Sequence, residues 1–148
     1  MKTQQQNPKP NPWLIETTAW LLALLFIFTA ASKLMDMHHF IQQIDNQPFD
    51  NHFTPFLVIG LPVAELATAL LLFIPKVRTT GLWLSAIMMT TFTVYVALVT
   101  FHFFDRVPCA CAGVFNRMSW TQHLIFNIVF TAIAIYGILL QKQTPESN

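Results

Sequence analysis

The chain carries two cysteines with a single residue between them, in the stretch Val107-Pro108-Cys109-Ala110-Cys111-Ala112-Gly113. A disulfide joining them closes a very small ring, far from relaxed geometry, and strain makes such a bond easier to reduce. The closed loop is tiny, so the bond would add little to the stability of a fold. Exchange with a thiol or disulfide of a partner therefore suits the spacing better than stapling does. Pro108 and Gly113 bracket the pair with turn-forming residues. A histidine near a cysteine favours the thiolate, and His102 and His123 are candidates for that role, as are the cations Arg106 and Arg117. Cys109, Cys111, His102 and His123 would also make a two-Cys, two-His zinc set. Cys-x-Cys is, however, tighter than the usual spacing of about two to four residues between zinc cysteines, and no metal is assigned. Two incidental thiols in a loop are the third reading.

Other polar residues fall inside apolar runs. Glu65 lies near the middle of one run and Lys33 near the end of another. A carboxylate in hydrocarbon is expensive, which makes Glu65 a functional candidate, and a Lys33–Glu65 pair would offset the cost of both charges. Such a pair either fixes helix packing or serves a proton or substrate. Asn127 follows His123 by four positions, so on a helix the two share a face. A contact between helices is the plainer role for Asn127. Glu16 lies close to a water interface and reads as structural. His38, His39 and His52 cluster in sequence with Asp36, Asp45 and Asp50. A divalent ion could bind there, but a solvated or partner-facing loop is the better reading.

The elements that position these residues follow from composition. Of 148 residues, 54% are hydrophobic and only 10% charged, where a soluble domain carries about a quarter charged. The eight Lys+Arg against seven Asp+Glu leave +1, with no basic excess to hold nucleic acid. Two cysteines are too few for a disulfide-rich secreted scaffold. Crossing about 30 Å of hydrocarbon takes about 20 largely apolar residues as a helix. Four runs meet that length: Trp13 to Met35, Phe56 to Ile74, Thr80 to about Phe104, and Trp120 to Leu140. The connections are short, so neighbours run antiparallel. The reading is an all-α membrane protein, an antiparallel four-transmembrane-helix bundle, with polar tails at 1–12 and 141–148 around one domain at 13–140.

Local signals mark the ends. Asn11-Pro12 precedes the first run, Pro55 opens the second and Pro75 closes it. Ser119 with Gln122 forms a capping box for the fourth, which sets Trp120 at interface depth. Pro62 removes the partner of the Val58 carbonyl and predicts a kink. Thr29-Ala30-Ala31 faintly resembles a cleavage site, but the apolar stretch is longer than a signal segment and is read as retained.

Lys2, Lys9, Lys76, Arg78 and Lys142 fall on one side of such a bundle, and Lys33, Arg106 and Arg117 on the other. The positive-inside rule then puts both termini in the cytoplasm. The segments Asp36 to Thr54 and Asp105 to Ser119 face outward, and both cysteines with them. In a bacterial inner membrane that side is the oxidising periplasm.

Several pieces in order resemble the MauE/DoxX-like membrane proteins, and the MauE side more closely. They are Phe28-Thr29-Ala30-Ala31-Ser32-Lys33-Leu34, Pro62-Val63-Ala64-Glu65-Leu66, the Cys109-Ala110-Cys111 loop, Ser119-Trp120 and Asn127. The resemblance implies a redox-associated integral membrane protein linked to maturation of periplasmic proteins with disulfides; DoxX-like relatives are linked to quinone-coupled sulfur oxidation. The bundle is also similar in outline to the DsbB and vitamin K epoxide reductase type. Those enzymes use two cysteine pairs and this chain has one, so no relay within the chain is available. An aromatic expected before Gly113 is replaced by Ala112. The one cofactor brought into view is a quinone, which Phe101, Phe103, Phe104 and Trp120 could border. The reading is a membrane protein that exchanges thiol and disulfide through Cys109 and Cys111 with a periplasmic thiol or disulfide protein. The alternative is a non-catalytic scaffold or assembly subunit among other membrane subunits. Whether the chain is an enzyme stays open, as does a metal-handling role.

Overall fold

The computed structural model describes residues 11–47, 50–103 and 119–143. The first run forms α1, Pro12–Met35, started by Asn11, whose side chain accepts from the Trp13 N–H at 3.3 Å. Asp36 ends α1 by returning its N–H to the Ser32 carbonyl, and then starts a second helix by accepting from the His39 N–H at 3.1 Å. That helix, α2, spans Met37–Asp45. It lies in a segment that the sequence reading treats as loop. A 3₁₀ turn at Asn51–Phe53 leads into α3, Thr54–Phe73, and a second at Pro75–Val77 leads into α4, Arg78–Thr100. The last helix, α5, spans Trp120–Gln143 and runs past the expected end at Leu140. Ser119 and Gln122 make the capping box reciprocally: the Ser119 N–H donates to Gln122 Oε1 at 3.0 Å, and the Gln122 N–H to Ser119 Oγ at 3.3 Å.

Four of these helices are long and apolar enough to cross a membrane. They stand antiparallel in the ring order α1, α3, α4, α5, each packed on its neighbours. The first turn of α1 and the last turn of α5 therefore lie at one end of the bundle, here the terminal end. The other, distal end carries α2, the last turn of α4 and the first turn of α5. Outward faces are apolar: Trp13 is 73% exposed, Phe56 72% and Ile59 67%. A soluble surface does not tolerate so continuous a coat, whereas lipid does. The chain is a multi-pass membrane protein.

Inside, Leu22, Phe26, Leu72, Leu82 and Ala134 make the central core. Small residues let backbones approach. A Cβ on Gly81 of α4 would lie 2.9 Å from the Leu72 backbone nitrogen of α3. Hydroxyls that would be orphaned in lipid fold back on carbonyls four residues earlier, as Thr18 does to Leu14 and Ser85 to Gly81. Thr93 and Thr131 link α4 to α5, hydroxyl to hydroxyl, at 2.9 Å. Pro62 sits buried inside α3, which continues through it.

The third run ends earlier than its apolar composition suggests. Phe101 caps α4, His102 follows with φ 55°, and the chain turns back. The His102 N–H reaches the Val99 carbonyl at 3.1 Å and the Phe103 N–H reaches Leu98 at 3.0 Å. These two bonds are a Schellman closure, with His102 at the left-handed position glycine usually fills.

Candidate functional site

Glu65 and Lys33 come together in the distal half of the bundle. Glu65 lies three turns into α3 and Lys33 in the last turn of α1. Lys33 Nζ donates to Glu65 Oε1 at 2.8 Å and Oε2 at 3.2 Å, and to the Thr29 carbonyl at 3.2 Å. The side chains are 9% and 2% exposed, so the pair is buried inside the bundle. Phe40 of α2 lies with its ring centroid 5.9 Å from Nζ, within cation–π range. Burial raises the cost of either charge alone, while two charge-assisted bonds to one carboxylate lower the cost of both together.

The pair lines a cavity of about 280 Å³. All five helices contribute to its wall. Leu25, Phe26 and Thr29 come from α1, Leu57 and Leu61 from α3, and Met89, Phe92 and Tyr95 from α4. Trp120, His123, Phe126 and Asn127 come from the first two turns of α5. Phe40 and Ile44 of α2, with Gln47 just beyond it, also line it. The Tyr95 hydroxyl donates to Gln47 Oε1, and Gln47 Nε2 to the Gln43 carbonyl at 2.8 Å, so α4 is tied to the end of α2. Few polar groups converge in a largely apolar hollow, the pattern of a small-molecule site.

Asn127 and His123 share one face of α5 and both reach this cavity. Asn127 Nδ2 donates to the His123 carbonyl at 3.0 Å, and the His123 ring stacks on Trp120 with centroids 6.4 Å apart. His102 lies elsewhere, exposed at the turn after α4, where its backbone conformation closes the helix. Cys109, Cys111, Arg106, Arg117 and Phe104 lie outside the described residues. Of the other aromatics considered as a quinone border, Trp120 lines the cavity, while Phe101 and Phe103 are 77% and 74% exposed and do not. That border is not assembled among the described residues, and no step through a quinone is derived.

Among the described residues no three His, Cys, Asp or Glu side chains gather as a metal site. The acids of the segment between α1 and α3 have local work. Asp36 caps α2, Asp50 accepts from the His52 N–H at 3.1 Å, and Asp45 accepts from the Thr54 hydroxyl at 2.8 Å. Glu16 is exposed on α1. The residues that sequence reasoning passes over are those of the roof and far wall, above all Phe40, Gln47 and Tyr95. A tyrosine within a lipid-spanning run and a glutamine following an amphipathic segment were the available signals.

A family model, MauE, described as methylamine utilisation protein MauE, matches residues 11–140, nearly the whole chain. No curated protein and no solved structure matches it. The chain belongs to the MauE family.

Proposed function

We propose that this MauE-family membrane protein exchanges thiol and disulfide with a partner protein through Cys109 and Cys111. One sulfur, as thiolate, attacks a partner disulfide. The old S–S bond breaks, a mixed disulfide forms, and the partner's second sulfur leaves as a thiolate that takes up a proton. The other cysteine then attacks the mixed disulfide, which closes the Cys109–Cys111 bond and frees the partner as a dithiol. Two electrons pass from the pair to the partner, and the sequence runs equally in reverse.

The observation that carries the reading is the position of the pair in the chain. In the sequence both cysteines fall between α4 and α5, whose facing ends lie at the same end of the bundle as the Lys33–Glu65 pair and the cavity. Orientation belongs to the same reading. Lys33 is spent in an ion pair, so it drops out of the charge count on the distal side, leaving Arg106 and Arg117 against five cations at the terminal end. The bias for cytoplasmic termini grows, and the distal end faces the periplasm of a bacterial inner membrane. Arg106 and Arg117 favour the thiolate there. His102 and His123 stand at the two helix ends that flank the segment. Lys33 and Glu65 support this end of the bundle by joining α1 to α3, and Asn127 lines the cavity from α5.

Single Cys109→Ser and Cys111→Ser variants test the exchange. In membranes from cells grown under oxidising conditions, one of the two accumulates a reductant-sensitive adduct with a partner protein, seen on a non-reducing gel. The double variant accumulates none. If neither single variant forms an adduct and both retain full function in cells, the cysteines do not exchange.

A further inference from the structure

The cavity has a definite size, lining and charge, and the thiol reading uses none of them. We propose that it binds a neutral ring compound of one or two rings bearing a hydroxyl or carbonyl group, held with that group toward Glu65 and Asn127.

Size comes first. An apolar cavity of about 150 Å³ takes a benzene ring. The cavity here measures about 280 Å³, close to twice that, which suits a bicyclic ring or one ring with a short substituent. Shape follows from the walls. Phe26, Phe92 and Phe126 stand on three different helices, with Trp120 on the α5 side and Phe40 in the roof. Aromatic rings on several sides favour a flat guest, because ring pairs gain from offset or edge-on contact beyond the area they bury.

Charge decides the next point. Among the described lining residues Lys33 and Glu65 supply the lysine, arginine and carboxylate charge, and they cancel each other at 2.8 Å. A charged guest would bring an uncompensated charge into this buried site, at a cost the walls do not repay. A guest with no polar group would fail differently. It would cover the amide of Asn127 and the outer lone pairs of Glu65 without bonding to them. A carboxylate offers about four lone-pair directions, and Lys33 takes two of them. The Asn127 amide has a second N–H besides the one given to the His123 carbonyl. A hydroxyl can donate to the carboxylate, and a carbonyl can accept from the amide. Hydroxyarenes, aryl ketones and quinones all belong to this class, and redox activity is not required of the guest. The inference stands even if the cysteines prove inert.

Equilibrium dialysis of the full chain in nanodiscs, corrected by empty discs of the same lipid, tests it with 1-naphthol, naphthalene and 1-naphthoate at neutral pH. Naphthol is expected to bind saturably, one per chain. Naphthalene should bind about five- to tenfold more weakly for want of a hydrogen bond, and naphthoate about tenfold more weakly or less still. Leu61→Trp fills the cavity and should abolish saturable binding while the protein still melts cooperatively. Asn127→Leu removes the N–H offered to the naphthol oxygen while Glu65 still accepts from the hydroxyl, so it should weaken naphthol binding and narrow its advantage over naphthalene severalfold. That second variant decides the matter if Leu61→Trp does not fold. The proposal is overturned if naphthol shows no saturable binding, or if naphthoate binds as well as naphthol. It is overturned equally if folded Leu61→Trp still binds, if Asn127→Leu leaves naphthol binding unchanged, or if native mass spectrometry finds a lipid in the site that naphthol does not displace.

Discussion

Lys33→Met tests the buried pair most sharply. Nζ places its three N–H donors on Glu65 Oε1, Glu65 Oε2 and the Thr29 carbonyl at 2.8, 3.2 and 3.2 Å. The carboxylate, 2% exposed, then loses both charge-assisted bonds, and the described cavity lining offers no second lysine or arginine to replace them. Breaking a buried pair from one side costs about 3–5 kcal/mol, because a lone charge is left behind. Glu65→Leu should cost a similar amount by stranding the ammonium. Removing both sides leaves no charge, and replacement by apolar groups of similar volume is often neutral or better. The double variant Lys33→Met/Glu65→Leu should therefore sit at least about 3 kcal/mol above the sum of the single losses. Unfolding in mixed micelles of rising SDS fraction, followed by helical circular dichroism, gives the three values. Single losses under about 1 kcal/mol, or a double variant as weak as the summed singles, would refute the coupling.

The glycines make a graded test. Nothing lies within 4 Å of a Cβ built on Gly60, flexible tips of Leu82 and Thr18 lie at 2.9 Å from one on Gly137, and backbone lies at 2.9 Å from one on Gly81. Alanine gains up to about 1 kcal/mol of helix propensity at each, so Gly60→Ala should stabilise, Gly137→Ala be near neutral, and Gly81→Ala destabilise by about 1–3 kcal/mol from overpacking. A melting series that ranks them otherwise would contradict the packing. His102→Gly relieves a left-handed backbone and should stabilise by up to about 1 kcal/mol in the same assay; a loss would mean that the side chain holds the turn. Ser119→Ala removes the hydroxyl that caps α5 and should cost about 1 kcal/mol, and an unchanged midpoint would show the capping box to be idle.

The spanning helices were legible because lipid sets a simple rule: about 20 apolar residues in a row have few other uses. Ser119 with Gln122 announced the start of α5 for an equally local reason. Lys33 and Glu65 could be paired by cost alone, since each charge is intolerable singly. The elements that escaped are those whose signal is short or shared. α2 spans only Met37–Asp45. Its apolar side rests on Phe40 and Ile44, one turn apart, amid histidines and acids that read equally well as loop. The end of α4 was hidden because Phe101 and Phe103 extend the apolar run while the turn depends on the backbone of His102, which has no glycine to betray it. The cavity was illegible for a deeper reason. Its wall draws a few residues from each of five helices, and Tyr95 meets Gln47 only because of the order in which those helices pack.

Sided labelling of the two thiols bears most directly on the exchange reading. Intact spheroplasts are treated with a membrane-impermeant maleimide, with and without prior reductant, and compared with inverted vesicles. Cys109 and Cys111 should label from the periplasmic face, more strongly after reduction, and not from the cytoplasmic face. Labelling from the cytoplasmic face alone, or no labelling from either face after reduction, would contradict an exchanging pair at the outer surface.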